Sequence, residues 1–295
     1  MKRIVTGLCA ALLLFTMVGC SDATTNVSDK NETLITIGNE KITKGDVYEG
    51  LLAQGNITPV TEALTKAIAA KAVETTDEIK DSAKASMDAL KTNNKDWDAY
   101  LKTNGYTNED ELLDELIVQV KESKITTSYV SELYETLVTR FEPRKLQVIS
   151  ISEDKKDKVN EAHKKAKDGE DFTEIADTYG NGKYVGKESV YTNASGLGAD
   201  VWKTVLETAE GEVSKQAAYD PENKIYYIIK VVDAKTNEFK DEAVSVIASV
   251  SETNDEGLKM NEEAFKYYLN KFDYSIHDVT VYSALLNSSK MYEKE

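Results

Sequence analysis

Residues 225–232 read Ile-Tyr-Tyr-Ile-Ile-Lys-Val-Val, and this stretch decides the fold. It is rich in β-branched and aromatic residues and lacks Gly and Pro, a composition typical of a buried strand. Residues 146–151, Leu-Gln-Val-Ile-Ser-Ile, alternate enough to predict a second strand. Between them the sequence predicts a charged helix at 155–167, a helix at 172–179, a glycine-punctuated loop at 180–198, a short helix at 200–208 and a strand at 213–217. Together these segments predict a compact α+β module.

Helices are predicted on both sides of this module. Residues 77–141 have helical patterns, and the clearest helix follows Asn108, with an apolar stripe at 3.6-residue spacing. The stripe consists of Leu112, Leu113, Leu116, Ile117 and Val120. Such a stripe is usually core. Helical patterns return after Phe239, notably at 257–272.

The predicted domain organisation follows from these patterns. Pro143 disfavours helix at the residue before it and marks a boundary. We therefore predict an α+β protein in which a mostly helical domain is built from N- and C-terminal segments and a small α+β domain is inserted. The predicted segments are a helical region at 34–142, the inserted module at 143–235 and C-terminal helices at 236–295 that pack on the first region. Within the first, Thr43 and Asp46 have the spacing of a capping box that opens a helix.

The first twenty residues have the pattern of a secretory signal. Lys2 and Arg3 precede an apolar run at 8–18, which is too short to span a membrane. Met17-Val18-Gly19-Cys20 resembles a bacterial lipobox, with Met17 in place of the usual Leu. The resemblance implies a signal peptide at 1–19, lipidation of Cys20 and a polar, flexible tether at 20–33. An ordinary signal peptide with an incidental Cys20 is the alternative.

Composition limits the remaining functions. The net charge of −16 argues against nucleic acid as a partner, because phosphates need Lys and Arg patches. Cysteine occurs only at Cys9 and Cys20, so the mature chain has no disulfide. His163 and His277 are far apart in the sequence and make a poor case for a metal site. We expect no metal and no cofactor.

The order of motifs resembles the PrsA-like foldases, surface lipoproteins of Gram-positive bacteria that assist the folding of secreted proteins. Residues 35–44 are similar to the family's opening strand-turn-helix, and residues 101–107 with the following helix are similar to a SurA-type chaperone region. Residues 168–176, 211–214 and 227–230 occur in the order of a parvulin-type peptidylprolyl isomerase module. The resemblance covers nearly the whole mature chain.

The isomerase module departs from the family at its site. Gln147 and Tyr227 stand where active parvulins carry histidines, and Glu188 stands at the family's acidic position. By the same resemblance, Leu197, Val201 and Leu206 line the proline pocket, which stays apolar but loses an aromatic wall. Gln147 and Tyr227 are also able to hydrogen-bond across neighbouring strands, without tuning the site as the histidines do. The alternative is that they form a purely structural pair in a sheet.

These observations leave three functions open. The first is a lipid-anchored foldase or chaperone at the extracytoplasmic membrane face of a Gram-positive bacterium, with weak or absent isomerase activity. Its partners would be unfolded secreted proteins, the membrane through its anchor, and a second copy of the chain if it dimerises. Client-binding candidates are Leu112, Leu116 and Tyr129, for which burial in the core is the alternative. The second function is an active prolyl isomerase, and the third is a surface solute-binding or adhesion lipoprotein.

Overall fold

A computed structural model describes residues 27–53 and 56–293. The predicted signal peptide, Cys20 and the first part of the predicted tether lie outside the described residues. The described part combines helices with two small antiparallel sheets, which confirms the predicted α+β class. Within it, no helix has the length and apolar character needed to cross a membrane.

Six strands form the two sheets of the described residues. In chain order they are β1 (Thr33–Ile37), β2 (Glu40–Thr43), β3 (Arg144–Ser152), β4 (Val185–Tyr191), β5 (Ala218–Asp220) and β6 (Ile225–Asp233). One sheet is the β1–β2 pair, and the other has the order β4-β3-β6-β5. All pairings are antiparallel. The strand order makes β3 and β6 the central strands of the larger sheet.

Thirteen α-helices lie in the described part of the chain. They are α1 (Lys44–Ala53), α2 (Thr58–Ala72), α3 (Asp77–Asn93), α4 (Trp97–Thr103), α5 (Glu109–Ser123), α6 (Ile125–Glu132), α7 (Tyr134–Phe141), α8 (Lys156–Lys167), α9 (Phe172–Tyr179), α10 (Ala199–Glu207), α11 (Lys240–Ala248), α12 (Met260–Lys271) and α13 (Val279–Ser288). The predicted helices of the inserted module agree with α8, α9 and α10 to within one residue at each end.

The chain divides into two compact units. Among the described residues, the first contains 27–53, 56–61 and 273–293, and the second contains 62–272. In the first unit, the predicted capping box at the start of α1 is confirmed. The Thr43 backbone N–H donates to the Asp46 carboxylate at 2.8 Å, and the Asp46 N–H donates to the Thr43 hydroxyl at 3.2 Å.

The second unit begins with helices that pack around α5. Asn108 caps α5, since its side-chain oxygen accepts from the Glu111 N–H at 3.0 Å. Leu112 and Leu116 are buried in a cluster with residues of α3 and α4, and the rest of the predicted stripe packs against that cluster. The interpretation of the stripe as core is therefore confirmed.

The C-terminal part of this unit packs on α6 and α7. Both α11 and α12 contact α6, and α11 also contacts α7 and β4. The Arg140 guanidinium of α7 forms three hydrogen bonds of 2.8–3.1 Å with the buried carboxylate of Glu263 in α12. This charged pair fixes the C-terminal end of α7 against α12.

Two predictions about the module, a loop at 180–198 and a strand at 213–217, differ from the structure. The predicted loop at 180–198 contains β4, whose Gly186 is a packing requirement: its φ is +73°, and a Cβ there would lie 2.3 Å from the Phe172 carbonyl oxygen. Glycine thus lets β4 approach α9 and does not mark a loop. The predicted strand at 213–217 contributes only a single bridge from Val213 to Lys230, and the edge strand β5 follows it.

The larger sheet has a different apolar cluster on each face, because successive side chains of a strand point to opposite sides. On one face, Ile149, Ile151 and Ile228 pack against α8 and α9. On the other face, residues of β3, β5 and β6 pack against α10 and against Leu197, which lies two residues before α10. We call this second set the Tyr227 cluster: Leu146, Val148, Leu197, Val201, Trp202, Val205, Ala218, Ile225, Tyr227, Ile229 and Val231.

Candidate functional site

Tyr227 lies at the centre of the sheet with no exposed surface. Its hydroxyl has no hydrogen-bond partner among the described residues. The Tyr184 ring packs edge-on against it with centroids 5.7 Å apart, and Tyr191 packs against Tyr184 at 6.1 Å. Burial is the main reason that the pKa of Tyr227 rises to about 12. Tyr227 is therefore a neutral, enclosed side chain at physiological pH.

Ser150 is the residue of β3 that lies directly opposite Tyr227. Its hydroxyl donates to the Asn181 side-chain oxygen at 2.5 Å and accepts from the Tyr184 backbone N–H at 3.0 Å. These bonds hold the 181–184 turn so that the Tyr184 ring covers Tyr227. Sequence reasoning missed Ser150, although a lone hydroxyl in an apolar strand was an available signal.

Gln147 and Glu188 lie apart from Tyr227. Gln147 pairs with Glu188 across β3 and β4, and its side-chain amide donates to the Gly186 carbonyl at 3.0 Å. Gln147 is three residues from Ser150 along β3, so its side chain belongs to the opposite face of the sheet. Gln147 and Tyr227 therefore do not hydrogen-bond to each other, because strand alternation places the two side chains on opposite faces of the sheet.

The structure also divides the three residues predicted to line a proline pocket. Leu197 and Val201 are each 1% exposed and pack in the Tyr227 cluster. Leu206 is 42% exposed. It follows Val201 by five residues in α10, so its side chain points well away from the helix face that carries Val201. The structure thus brings Leu197, Val201 and Tyr227 together but leaves Leu206 outside the cluster.

This arrangement limits what the cluster can do chemically. Rotation of an X-Pro bond has a barrier of roughly 20 kcal/mol, because amide resonance must be broken. A catalyst needs an accessible apolar seat for the proline ring and groups that favour the twisted amide. In the Tyr227 cluster, buried protein side chains occupy the apolar space, and Tyr184 and Tyr191 pack against it. The cluster is closed to a proline ring in this conformation.

An open groove lies on the outer side of α10. It has a volume of about 880 Å³ and is bordered by the end of α7, by α10 and by the segment between α11 and α12. The residues that line it are Arg140, Phe141, Glu142, Asn193, Ala194, Ala199, Trp202, Lys203, Leu206, Val250, Glu252, Thr253, Asn254, Asp255 and Glu256. Among the predicted site residues that the structure describes, Leu206 is the one that lines this groove.

The predicted client-binding residues are buried. Leu112, Leu116 and Tyr129 are 3%, 7% and 7% exposed, respectively. Tyr129 packs against Tyr267 with ring centroids 5.3 Å apart. An unfolded chain cannot contact these three side chains in this conformation, which favours the alternative that they are core.

Neither histidine belongs to a metal centre in the described residues, where no group of three or more His, Cys, Asp or Glu side chains is placed to hold a metal. The His163 ring nitrogen Nε2 lies 2.8 Å from the Ser214 carbonyl oxygen and donates to it. That bond ties α8 to the segment before β5, which is a structural role.

Comparison with known proteins identifies the module. Residues 125–243 match the family model of the PPIC-type PPIASE domain, and the chain therefore contains a domain of the parvulin-type isomerase family, as predicted. The match covers α6 and α7 as well as the predicted module, and it ends within α11. No curated protein matches the chain significantly.

Solved structures similar to the chain are described as foldases or isomerases. Peptidylprolyl isomerase PrsA from Bacillus cereus is 19% identical, with a TM-score of 0.46, and the match covers 89% of this chain and 100% of that one. Foldase protein PrsA from Streptococcus pneumoniae is 17% identical, with a TM-score of 0.41 and the same coverage. SurA-like chaperone structures from Campylobacter jejuni match at 17% identity and a TM-score of 0.24, covering 88% of this chain and 98% of that one. The family match at 125–243 carries the assignment of the domain.

Proposed function

We propose that this protein is a foldase or chaperone that assists the folding of secreted proteins at the extracytoplasmic face of the membrane. In this proposal its PPIC-type domain has weak or absent isomerase activity. The observation that carries it is the closed Tyr227 cluster inside a domain of an isomerase family. Leu197 and Val201 of the predicted proline pocket are buried in this cluster, against which Tyr184 packs, and Leu206 lies outside it.

The loss of isomerase chemistry has a physical reason. Each tenfold in rate requires about 1.4 kcal/mol of selective stabilisation of the twisted amide. Tyr227 is enclosed, and Gln147 and Glu188 lie on the other face of the sheet. The three side chains therefore cannot contact the same bound amide. A peptide would first have to displace Tyr184, whose backbone N–H is bonded to Ser150.

The isomerase part is tested with the full chain and a proline-containing peptide. We expect the peptide to isomerise at its uncatalysed rate, with Tyr227→Phe indistinguishable from the natural chain. Acceleration above about tenfold that is lost in Tyr227→Phe would establish the alternative, an active isomerase, which the family match favours.

The chaperone part is tested by the aggregation of an unfolded secreted protein with and without this chain. We expect slower aggregation at equimolar chain, because a helper of many clients binds each of them weakly and releases it. Unchanged aggregation at a large excess of this chain would contradict the proposal. It would leave a solute-binding or adhesion lipoprotein as the better description.

The membrane anchor is proposed at Cys20. Several acyl chains hold a protein stably at a membrane, since each buried methylene contributes about 0.8 kcal/mol. The mass of the mature N-terminus is expected to be that of a lipidated Cys20, and Cys20→Ser is expected to release the protein from the cell. A free thiol at the mature N-terminus would leave an ordinary, cleaved signal peptide.

A further inference from the structure

The groove bordered by α10, which we call the α10 groove, has an apolar floor. Phe141 and Trp202 are each 4% exposed and form the bottom of the lining. Leu206 stands at its side with 42% of its surface exposed. In the second unit only Val185 is a comparably exposed large apolar side chain among the described residues, and Val185 is not part of the groove. The exposed leucine therefore coincides with an open concave surface.

The rim of the groove is acidic. Glu142, Glu252, Asp255 and Glu256 line it, against Arg140 and Lys203. Arg140 is bonded to Glu263, and the Lys203 ammonium lies 4.0 Å from the Glu207 carboxylate, so both cations have acidic partners outside the lining. Glu256 is bonded to Lys266 at 2.8 Å.

Of the remaining rim carboxylates, Asp255 interacts electrostatically with the Arg140 guanidinium without forming an ion pair with it. Glu252 and Asp255 are exposed, and no ion pair engages either of them in the part of the chain that the structure describes. The rim therefore carries four acidic side chains against two basic ones above an apolar floor, and the groove complements a ligand that is both apolar and positively charged.

Hydrogen bonds hold the walls in place. Asn193 donates from its backbone N–H to the Phe141 carbonyl at 3.1 Å and from its side chain to the Arg140 carbonyl at 2.8 Å. The Trp202 indole N–H donates to the Glu142 carboxylate at 3.3 Å. On the opposite wall, the Asn254 side-chain oxygen accepts from the Leu258 N–H at 2.9 Å. A preformed groove loses less conformational freedom when a ligand binds.

We propose that the α10 groove binds an extended segment of unfolded protein in which apolar side chains are flanked by Lys or Arg. This inference rests on the proposed chaperone function and names the class of client segment that it takes. An apolar side chain of the segment packs on Trp202 and Leu206, and its basic neighbours meet Glu252 and Asp255. The groove has a volume of about 880 Å³ and is open to solvent, which suits clients that bind and leave.

The test uses the full chain and a dye-labelled peptide, Lys-Lys-Leu-Ser-Leu-Lys-Lys, followed by fluorescence polarisation. The matched peptide replaces every Lys with Glu. We expect the basic peptide to bind roughly tenfold more tightly at low salt and to lose much of that preference at high salt, because exposed charges are screened.

Two groove variants are compared with two matched controls. Leu206→Ser and the pair Glu252→Gln with Asp255→Asn should each weaken binding of the basic peptide roughly threefold to tenfold. Val185→Ser removes an equally exposed apolar side chain elsewhere, and Asp81→Asn with Asp88→Asn removes two exposed charges from α3. Both controls should bind like the natural chain. All these positions are exposed, so circular dichroism is expected to be unchanged.

Several outcomes would overturn the proposal. They are equal binding of the two peptides, groove variants that bind like the natural chain, and controls that lose as much affinity as groove variants. A dimer that dissociates in Leu206→Ser would assign the groove to a second copy of this chain instead. The aggregation assay separates the two levels of inference. If the groove variants still bind the peptide and still suppress aggregation, only the groove proposal is refuted. If the natural chain binds the peptide through the groove but does not suppress aggregation, only the chaperone function is refuted.

Discussion

The Tyr227 cluster and the α10 groove meet at the same helix but differ in access. On its inner face α10 contributes Val201 and Val205 to the cluster, where both are 1% exposed. On its outer side it contributes Leu206 to the groove at 42% exposure. Two of the three residues predicted to line a proline pocket, Leu197 and Val201, lie in the closed region, and the surface open to a ligand lies in the other. Apolar character marks both regions, and only the open one offers space to a partner.

The two regions also differ in charge. The cluster contains an orphan hydroxyl and no ionised group, whereas the groove has carboxylates around its rim. A site that must turn an amide requires enclosure around the reacting bond, and a site that must hold many segments loosely requires exposure. Our proposal depends on this contrast: a domain that matches an isomerase family has a closed apolar cluster, and its open surface is the groove.

The largest expected effect is on stability, and it comes from comparing a Leu→Ala substitution in the cluster with one in the groove. Leu197→Ala should destabilise the protein by about 2–5 kcal/mol, since it leaves a cavity in the cluster. Leu206→Ala should cost less than about 1 kcal/mol, because the side chain is already partly in water. Urea unfolding followed by circular dichroism measures both. Equal losses would mean that Leu206 is buried in solution and that the groove is closed.

A second prediction concerns the wall of the groove at the end of α7. Glu263→Gln should cost about 1–3 kcal/mol, because it weakens charged hydrogen bonds to Arg140 at a buried carboxylate. Glu207→Gln, which removes the exposed partner of Lys203, should change the free energy of unfolding by less than about 0.5 kcal/mol. Similar values for the two variants in urea unfolding would contradict a stabilising role for the Arg140 pair.

A third prediction opens the closed region. Tyr184→Ala should expose the Tyr227 ring and lower its pKa from about 12 towards 10, since burial is the main cause of the shift. Unfolding should become easier by roughly 1–2 kcal/mol, for a half-buried aromatic ring. Ultraviolet absorbance of tyrosinate, taken as the difference from the same chain with Tyr227→Phe, isolates this one residue.

The control for that experiment is Tyr179→Ala. Tyr179 packs against the cluster on the other face of the sheet, so the pKa of Tyr227 should stay near 12. If both alanine variants lowered the pKa alike, the cause would be general loosening of the module, and Tyr184 would not be the cover of Tyr227.

The smallest effect is expected for Tyr227→Phe. Its hydroxyl is buried without a partner, so removal at neutral pH should be neutral or stabilising by up to about 1 kcal/mol. With a folded-state pKa of about 12, above the ordinary 10.0, the neutral tyrosine contributes stability that is present below pH 10 and is lost as the pH rises through 12. Tyr227→Phe should therefore lose less stability over that interval than the natural chain. A loss above about 1 kcal/mol at pH 7 would reveal a hydrogen bond to this hydroxyl.

Local elements could be predicted from particular residues. Asp171 caps α9 by accepting from the Thr173 and Glu174 N–H groups at 2.8 and 3.1 Å, and α9 begins where the apolar pattern indicates. The strand at 225–232 and the cap at Thr43 are local in the same sense. In each case the deciding interactions join residues a few positions apart, so the sequence alone contains them.

The candidate site could be predicted only in part. The residue types of the apolar seat, Leu197 and Val201, were identifiable, but their neighbour Ser150 was not. Its position opposite Tyr227 depends on the register of two strands that are about seventy-five residues apart in the chain. A register is fixed by the packing of both faces, which no short window of sequence contains.

The sequence by itself determined the α+β class, the order of the module's helices, the cap of α1 at Thr43 and the replacement of the expected histidines by Gln147 and Tyr227. Only the tertiary structure decided that β4 exists around Gly186, that Gln147 and Tyr227 lie on opposite faces, and that Leu206 is open while Leu197 is enclosed. The physical reason is that propensity and capping act within a few residues, whereas face, register and exposure arise from contacts between distant segments. The function that we propose for this chain depends on face, register and exposure.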